Sequence, residues 1–434
     1  MKRFLKKTLV SVITASMFAS LVGCGTATST SRATPAKSEE KVTLNVWHQW
    51  ATDTNDLKKV YDAAVVKYQS THPNIIIKTD TMNTSAYKTK INTSFASSTD
   101  DVDVFFYWSP GMVGKLVEAG KVMPLDEYLK DGTLDKIVPG SLEAFKFDGK
   151  TYALPSFSWA MSLYCNKELF NNNGIKIPTN YDEWLDASKK FAAKGILPMA
   201  NGSKDAWNAC FVYEALALKT VGATNVNAFL SGKAKFDDPG YIDAAKKLQE
   251  LVAAGAFGKT TLGTTNDEAD SAFISGKAAM RLTGSWFAGS VSTNKDSVVK
   301  DKVVAINIPI ITGGKGSNKE FAGGFTDTFF VNNNTKHKKE SAEFDKFICE
   351  EMGNRADEIS LGFTGWKGTL DTSKQTPLYK QIAETTKGST GSVLAWDTSL
   401  DSAKAQVHYD DVQALFGSKV TPEAFVKTQA DASK

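Results

Sequence analysis

The sequence predicts an α/β protein assembled as two α/β lobes from discontinuous stretches of chain. Three observations carry that expectation. From Val42 onward, short apolar runs alternate with amphipathic helical stretches, the pattern of strand–helix–strand units around a largely parallel sheet. After a turn at Asp148-Gly149-Lys150 the chain becomes mostly helical, and strand-like runs return near Ala278, Val303 and Gly323. The chain has 434 residues, 42% of them hydrophobic, which suffices for two or three domains with large cores.

The first 23 residues read as a secretory signal. MKRFLKK is cationic, and TLVSVITASMFASLVG is apolar but too short and small-sided for a firm membrane span. Leu21-Val22-Gly23 before Cys24 resembles a lipobox, in which the Cys24 thiol is acylated and becomes the new N-terminus. Acyl chains bury enough methylene to hold a soluble domain at a membrane surface. The expected location is therefore outside the cytoplasm, anchored to the cell membrane through Cys24. Residues 24–40 are rich in Ser, Thr and Ala without apolar period and read as a disordered spacer.

Val42–Trp50 reads as a strand. Leu57, Val60, Tyr61, Ala64, Val65 and Tyr68 share one helical face. Asn74–Lys78 is a second strand, Ala86–Ala96 a helix, Val102–Tyr107 a third strand, and Pro110–Ala119 a helix closed at Gly120. Thr151–Pro155 leads into the buried run Trp159–Tyr164. Helices follow over Tyr181–Lys194, Trp207–Thr220, Tyr241–Ala254 and Asp267–Ser275, then a short strand over Ala278–Leu282. Strand-like runs cover Val303–Ile311 and Gly323–Val331. Helices at Lys338–Cys349, Gln375–Thr386, Ser402–Phe416 and Thr421–Ala432 complete the chain. Residues 41–153 with 285–332 are expected to form the first lobe. Residues 154–284 with 333–434 form the second, the joins lying near Leu154-Pro155 and Asn332.

Charge narrows the function. Without the four cations before Cys24, 47 Lys+Arg face 48 Asp+Glu, so no basic footprint invites nucleic acid. The whole chain has four Arg: Arg3, Arg32, Arg281 and Arg355. Rigid bidentate grips on carboxylate or phosphate normally use Arg, which weighs against an anionic ligand. Cys165, Cys210 and Cys349 are too widely spaced for a zinc framework and read as buried thiols, with one disulfide open as an alternative. The four histidines form no HExxH, and no GxSxG elbow, P-loop, dinucleotide fingerprint or DxDxDG loop is present. Paired carboxylates can converge from anywhere in a sequence, so a surface glycan-degrading enzyme stands as an alternative.

The tryptophans carry the stronger signal. Of nine, six fall at strand exits or in loops: Trp50, Trp108, Trp159, Trp207, Trp286 and Trp366. In open α/β sheets, ligands bind outside the carboxyl ends of strands. An indole there offers a flat apolar face and one N–H donor, which suits the C–H face and hydroxyl rim of a sugar ring. Trp184 and Trp47 read as packing residues; Trp396 is open between the two roles.

Several segments together carry a resemblance: the lipobox, VWHQW, DVFFYWSPGMVGKLVEAGKVMPLDEYL, FDGKTYALPSFSWAMSLYCNKELFNNNGIKIPTNYDEWLDASKKF, FISGKAAMRLTGSW, a GGF–FFV strand and a TPEAF helix. Over residues 40–432 the chain resembles the family 1 extracellular solute-binding proteins, lipoproteins that capture substrates for ABC importers of sugars. The resemblance implies a periplasmic-binding-protein type II-like fold, with a hinge and an interlobe cleft. It implies capture of a neutral sugar, an oligosaccharide, by hinge closure, and delivery to ABC permease subunits by a monomer. No catalysis, cofactor or metal is implied, and a non-sugar solute on the same fold is the alternative. Carried over by position, it places Gln49 and Trp50, Trp108, Trp159, Lys204, Asp205 and Trp207, Trp286, Phe325 and Asp327, and Trp366 at the cleft. After Trp50, Ala51-Thr52-Asp53 lacks the basic residue of the maltodextrin-binding protein.

Overall fold

Apolar alternation in VTLNVWH makes β1 (Val42–His48), whose Leu44 and Val46 are fully buried in the computed structural model. The structure describes residues 41–53, 55–97 and 99–433. The signal segment and the whole spacer, Cys24 included, lie outside them. Asn55 caps α1 (Asp56–Thr71) by accepting from the backbone N–H groups of Leu57 and Lys58. Val60, Tyr61, Ala64 and Tyr68 bury one face of that helix. β2 (Ile75–Thr81), α2 (Thr84–Ala96), β3 (Val104–Trp108) and α3 (Gly111–Glu118) repeat the unit. β1 pairs in parallel with β2 and with β3, so His48 and Trp108 leave the sheet at the same edge.

β4 (Phe157–Asn166) is buried along its whole length. α4 (Tyr181–Ala193), β5 (Leu197–Ala200), α5 (Ala206–Val221), α6 (Pro239–Ala253), α7 (Asn266–Ile274) and β6 (Ala278–Gly284) follow. α5 is buried from Asn208 to Val221, as expected of a helix surrounded by protein. β7 (Val303–Ile306) and β8 (Glu320–Val331) precede α8 (Lys338–Glu358), α9 (Pro377–Thr386), α10 (Trp396–Ser399), α11 (Ser402–Phe416) and α12 (Pro422–Ala432). Among the described residues no helix is long and apolar enough to cross a membrane.

The sheet runs β2-β1-β3-β8-β4-β6-β5. β8 pairs antiparallel with β3 over Asp327–Val331 and with β4 over Gly323–Asp327, while β4 continues onto β6 and β7. Both long strands change core along their length. Phe157, Phe329, Phe330 and Val331 join a first core with Leu44, Tyr61 and Phe105. Trp159, Met161, Leu163 and Ala322 join a second with Trp184, Leu216, Met280 and Trp396, flanked by a smaller cluster around Tyr164, Phe273 and Phe287. Gly323 sits at the crossing with φ 138°, and a Cβ there would lie 2.1 Å from the Trp159 carbonyl oxygen.

These cores divide the chain differently from the sequence expectation. The sequence assigns 333–434 to the second lobe, but Ala342, Phe344, Ile348, Cys349 and Met352 of α8 pack in the first core, against α1. The sequence assigns 285–332 to the first, but Phe287, Val291, Ala305 and Ile308 pack with the second core and its flanking cluster. The reason is where each strand ends. β8 finishes in the first core, so the helix after it stays there; β6 finishes in the second, so the segment after Trp286 stays there. Cys165, Cys210 and Cys349 are buried free thiols.

Asp345 on α8 is fully buried, and neither carboxyl oxygen has a hydrogen-bond partner among the described residues. Burial pushes its pKa well above the carboxylate range, so the folded protein holds it protonated. The unfolded chain releases that proton near pH 4, so the stability this group contributes below that pH is lost as pH rises. Asp345→Asn should therefore raise the urea stability relative to the wild type at pH 8, with the gain shrinking as pH falls toward 4. Urea midpoints across pH check this, and a pH-independent difference refutes it.

Candidate functional site

The carboxyl ends of β1, β3 and β6 open on one cavity, with the β4–β8 crossing as its floor. It holds about 930 Å³ of atom-free space, part of it open to solvent. From the first core side come Gln49, Trp50, Asn55, Leu57, Thr84, Lys88 and Trp108. Phe157, Trp159, Thr326 and Asp327 come from the crossing strands. Trp207, Phe211, Asn266, Asp267, Trp286, Ala395, Asp397 and Thr398 come from the second side.

Local chemistry fixes each wall. The Trp50 backbone N–H donates to His48 Nδ1 at 3.2 Å. Burial, with a smaller effect from Lys58, lowers the His48 pKa to about 3 and keeps that ring neutral and able to accept. Gln49 Oε1 accepts from the Thr84 hydroxyl at 2.8 Å. On the opposite wall, Gly284 has no side chain because the Trp286 ring folds back onto it: a Cβ there would lie 2.1 Å from the indole. Trp159 stacks on Phe211 at 5.3 Å and 15°, and meets Trp286 edge-on at 5.4 Å. Trp207 meets Phe211 at 5.1 Å and Trp286 at 6.4 Å. The four rings form one aromatic corner. Trp207 and Trp286 are partly exposed, whereas Trp50, Trp108 and Trp159 are 4%, 6% and 3% exposed, so these three present little surface.

The polar groups are similarly tied. The Trp159 indole N–H donates to Thr326 Oγ1 at 3.1 Å, and that hydroxyl donates to Asp327 Oδ1 at 2.5 Å. Burial raises the Asp327 pKa to about 6; Thr326 and Lys88 oppose the shift and Asp397 adds to it. Asn266 Oδ1 accepts from Arg281 Nη2 at 2.6 Å. Arg281 is itself fully buried, donating also to Asp270 and Asn208. It braces the wall from behind and does not line the cavity.

Seven of the eleven sequence-proposed residues thus meet at the cavity: Gln49, Trp50, Trp108, Trp159, Trp207, Trp286 and Asp327. Four do not line it. Trp366 is buried in the first core, its indole donating to the Pro155 carbonyl at 2.7 Å. Phe325 packs against that same core. Asp205 accepts from the Asn266 backbone N–H at 2.7 Å, one layer behind the wall, and Lys204 is exposed. The sequence reading missed Lys88, Asp397, Asn266, Asp267, Thr84 and Thr326. Trp396, left open, is buried and stacked on His408 at 5.1 Å.

Residues 51–354 match the bacterial extracellular solute-binding protein family. The chain belongs to that family. An uncharacterized ABC transporter extracellular-binding protein of Pyrococcus horikoshii is 26% identical over 357 residues, 78% of this chain and 76% of that protein. A solved chain from work on xylan utilization by the thermophilic bacterium Caldanaerobius polysaccharolyticus is 37% identical. It covers 90% of this chain and 99% of its own, with a TM-score of 0.86. A chitin oligosaccharide binding protein is 27% identical over 91% of this chain and 98% of its own, with a TM-score of 0.83. The fold is the periplasmic-binding-protein-like α/β fold of this family. The protein is an extracellular solute-binding protein and not an enzyme.

The Asp327–Thr326–Trp159 chain gives a spectroscopic prediction. In the solute-binding protein without solute, tryptophan emission should shift with an apparent pKa near 6 as Asp327 ionises. Asp327→Asn should abolish that shift. A wild-type emission spectrum constant from pH 5 to 7 refutes the assignment.

Proposed function

We propose that this protein captures a neutral sugar, an oligosaccharide, in the cavity and delivers it to the permease of its transporter, held at the cell membrane by lipid on Cys24. The observation that carries the reading is the aromatic corner facing a polar rim. Trp207 and Trp286 offer indole surface, braced by Trp159 and Phe211. Gln49, Asn266, Asp267 and Asp327 supply donors and acceptors around it. Apolar plates edged by hydrogen-bonding groups match a pyranose, which has C–H faces and a hydroxyl rim. The relatives concerned with xylan utilization and chitin oligosaccharide binding support the same reading.

Capture works by closure of two lobes around the solute. β4 and β8 are the strands that pass between the cores, so bending there moves one wall of the cavity against the other. A solute stabilises the closed arrangement only through contacts it makes on both walls. No bond in the solute is made or broken.

Calorimetry with xylotetraose, chitotetraose and maltotetraose, alongside amino acids and spermidine, tests the reading. At least one oligosaccharide should bind, and Trp286→Ala should weaken it by roughly 1–3 kcal/mol. Binding of an amino acid or polyamine alone overturns the sugar reading, and an unchanged Kd removes Trp286 from the site. The anchor is tested separately: Cys24→Ser should release the protein from the membrane fraction into the medium, and persistent membrane association refutes lipidation there.

A further inference from the structure

One seam of the cavity joins the two cores directly. Lys88 lies on α2, which packs in the first core through Tyr87, Ile91 and Phe95. Its ammonium is 3.1 Å from Asp397 Oδ2 on α10 and donates to the Tyr409 hydroxyl on α11 at 2.9 Å. α10 and α11 belong to the second core through Trp396, Ala405 and Val412. The Tyr409 hydroxyl donates in turn to the same Asp397 oxygen. The ammonium also lies 4.6 Å from the centre of a Trp108 ring, a cation–π contact. The pair is well shielded: the Lys88 side chain is 16% exposed and that of Asp397 7%.

One further contact lies on this seam. Gly111 opens α3 against the carbonyls of Ser399 and Leu400, where a Cβ would lie 2.2 Å and 2.4 Å from their oxygens. Both contacts pass directly from the first core to the second.

We propose that this seam is a latch, and that Lys88 sets the solute affinity by setting how much of the protein is already closed. The inference rests on the hinge motion proposed above, but not on the solute being a sugar. Separating the cores takes Asp397 and Tyr409 away from Lys88 and returns both charges to water. The contacts therefore count only in the closed arrangement and bias the equilibrium toward it. A solute then has to supply only the remainder of the closing free energy, and apparent affinity scales with the closed fraction. Gly111 allows the approach, since any side chain there wedges the seam.

Small-angle X-ray scattering on the purified, solute-free protein tests the latch. Lys88→Met and Gly111→Ala should each raise the radius of gyration above that of the wild type, with unchanged circular dichroism. Gly111→Ala leaves every charge in place and puts a better helix former in α3, so expansion in that variant is a wedge effect rather than unfolding. If xylotetraose binds the wild type, Lys88→Met should weaken it by about tenfold. Identical scattering of wild type and both variants overturns the latch; expansion in Gly111→Ala but not Lys88→Met overturns the role of Lys88. Because scattering is read without solute, failure of the sugar panel and failure of the latch are separate results.

Discussion

Two antiparallel strands hydrogen-bonded at one crossing hold this molecule together, and its cavity exists because of them. β4 and β8 each start in one core and finish in the other. A strand that serves two cores must pass from one to the other. At that passage Phe157 packs in the first core and Trp159 in the second, and both line the cavity with Thr326 and Asp327. The crossing must also be tight, which is why Gly323 meets the Trp159 carbonyl with no room for a side chain. The site is therefore a consequence of topology rather than a groove cut into a finished domain.

The aromatic residues divide their work by exposure. Trp50 sits among His48, Phe106 and Phe329, with centroids at 4.9, 4.8 and 6.1 Å. It is mainly a core residue that also reaches the cavity. Trp108 has Phe106 at 5.4 Å on one side and the Lys88 ammonium over a ring. Trp159 is stacked on Phe211 and so braces rather than receives. The indole surface left to meet a solute belongs chiefly to Trp207 and Trp286. The rigid rings behind them matter energetically, because a plate held by close packing loses little freedom when a ligand stacks on it.

Much of this was legible in the sequence, for physical reasons that also mark the limit. Strands and helices declare themselves through period 2 and period 3.6, so α1, β3, α4 and β6 fall where the pattern puts them. Tryptophans at strand exits announce the cavity because strand ends converge there. Which core a helix joins is a long-range matter. α8 has an apolar face, but nothing in that face says whether it meets α1 or α5. Lys88 and Asp397 are 309 positions apart, on a helix and a four-residue turn, with no local pattern to pair them. Trp366 misleads for the converse reason: a glycine-flanked loop looks exposed, yet the Pro155 carbonyl draws its indole into the core.

Charge in the cavity wall bears on the kind of solute it suits. Asp267, Asp327 and Asp397 line it, and Lys88 is the one cation among the described lining residues. That cation is engaged by Asp397 and Tyr409. Arg281 lies behind the wall, its guanidinium taken up by Asp270, Asn208 and Asn266. An anionic solute would therefore have to break a shielded ion pair to find a partner, while standing near three carboxyl groups. A hydroxyl-rich neutral solute meets no such cost. It can donate to carboxylate and amide oxygens and lay its C–H face on indole, using groups that are already held in place. The raised pKa of Asp327 fits the same picture, since a carboxyl group poised near pH 6 can donate or accept toward a hydroxyl according to its protonation.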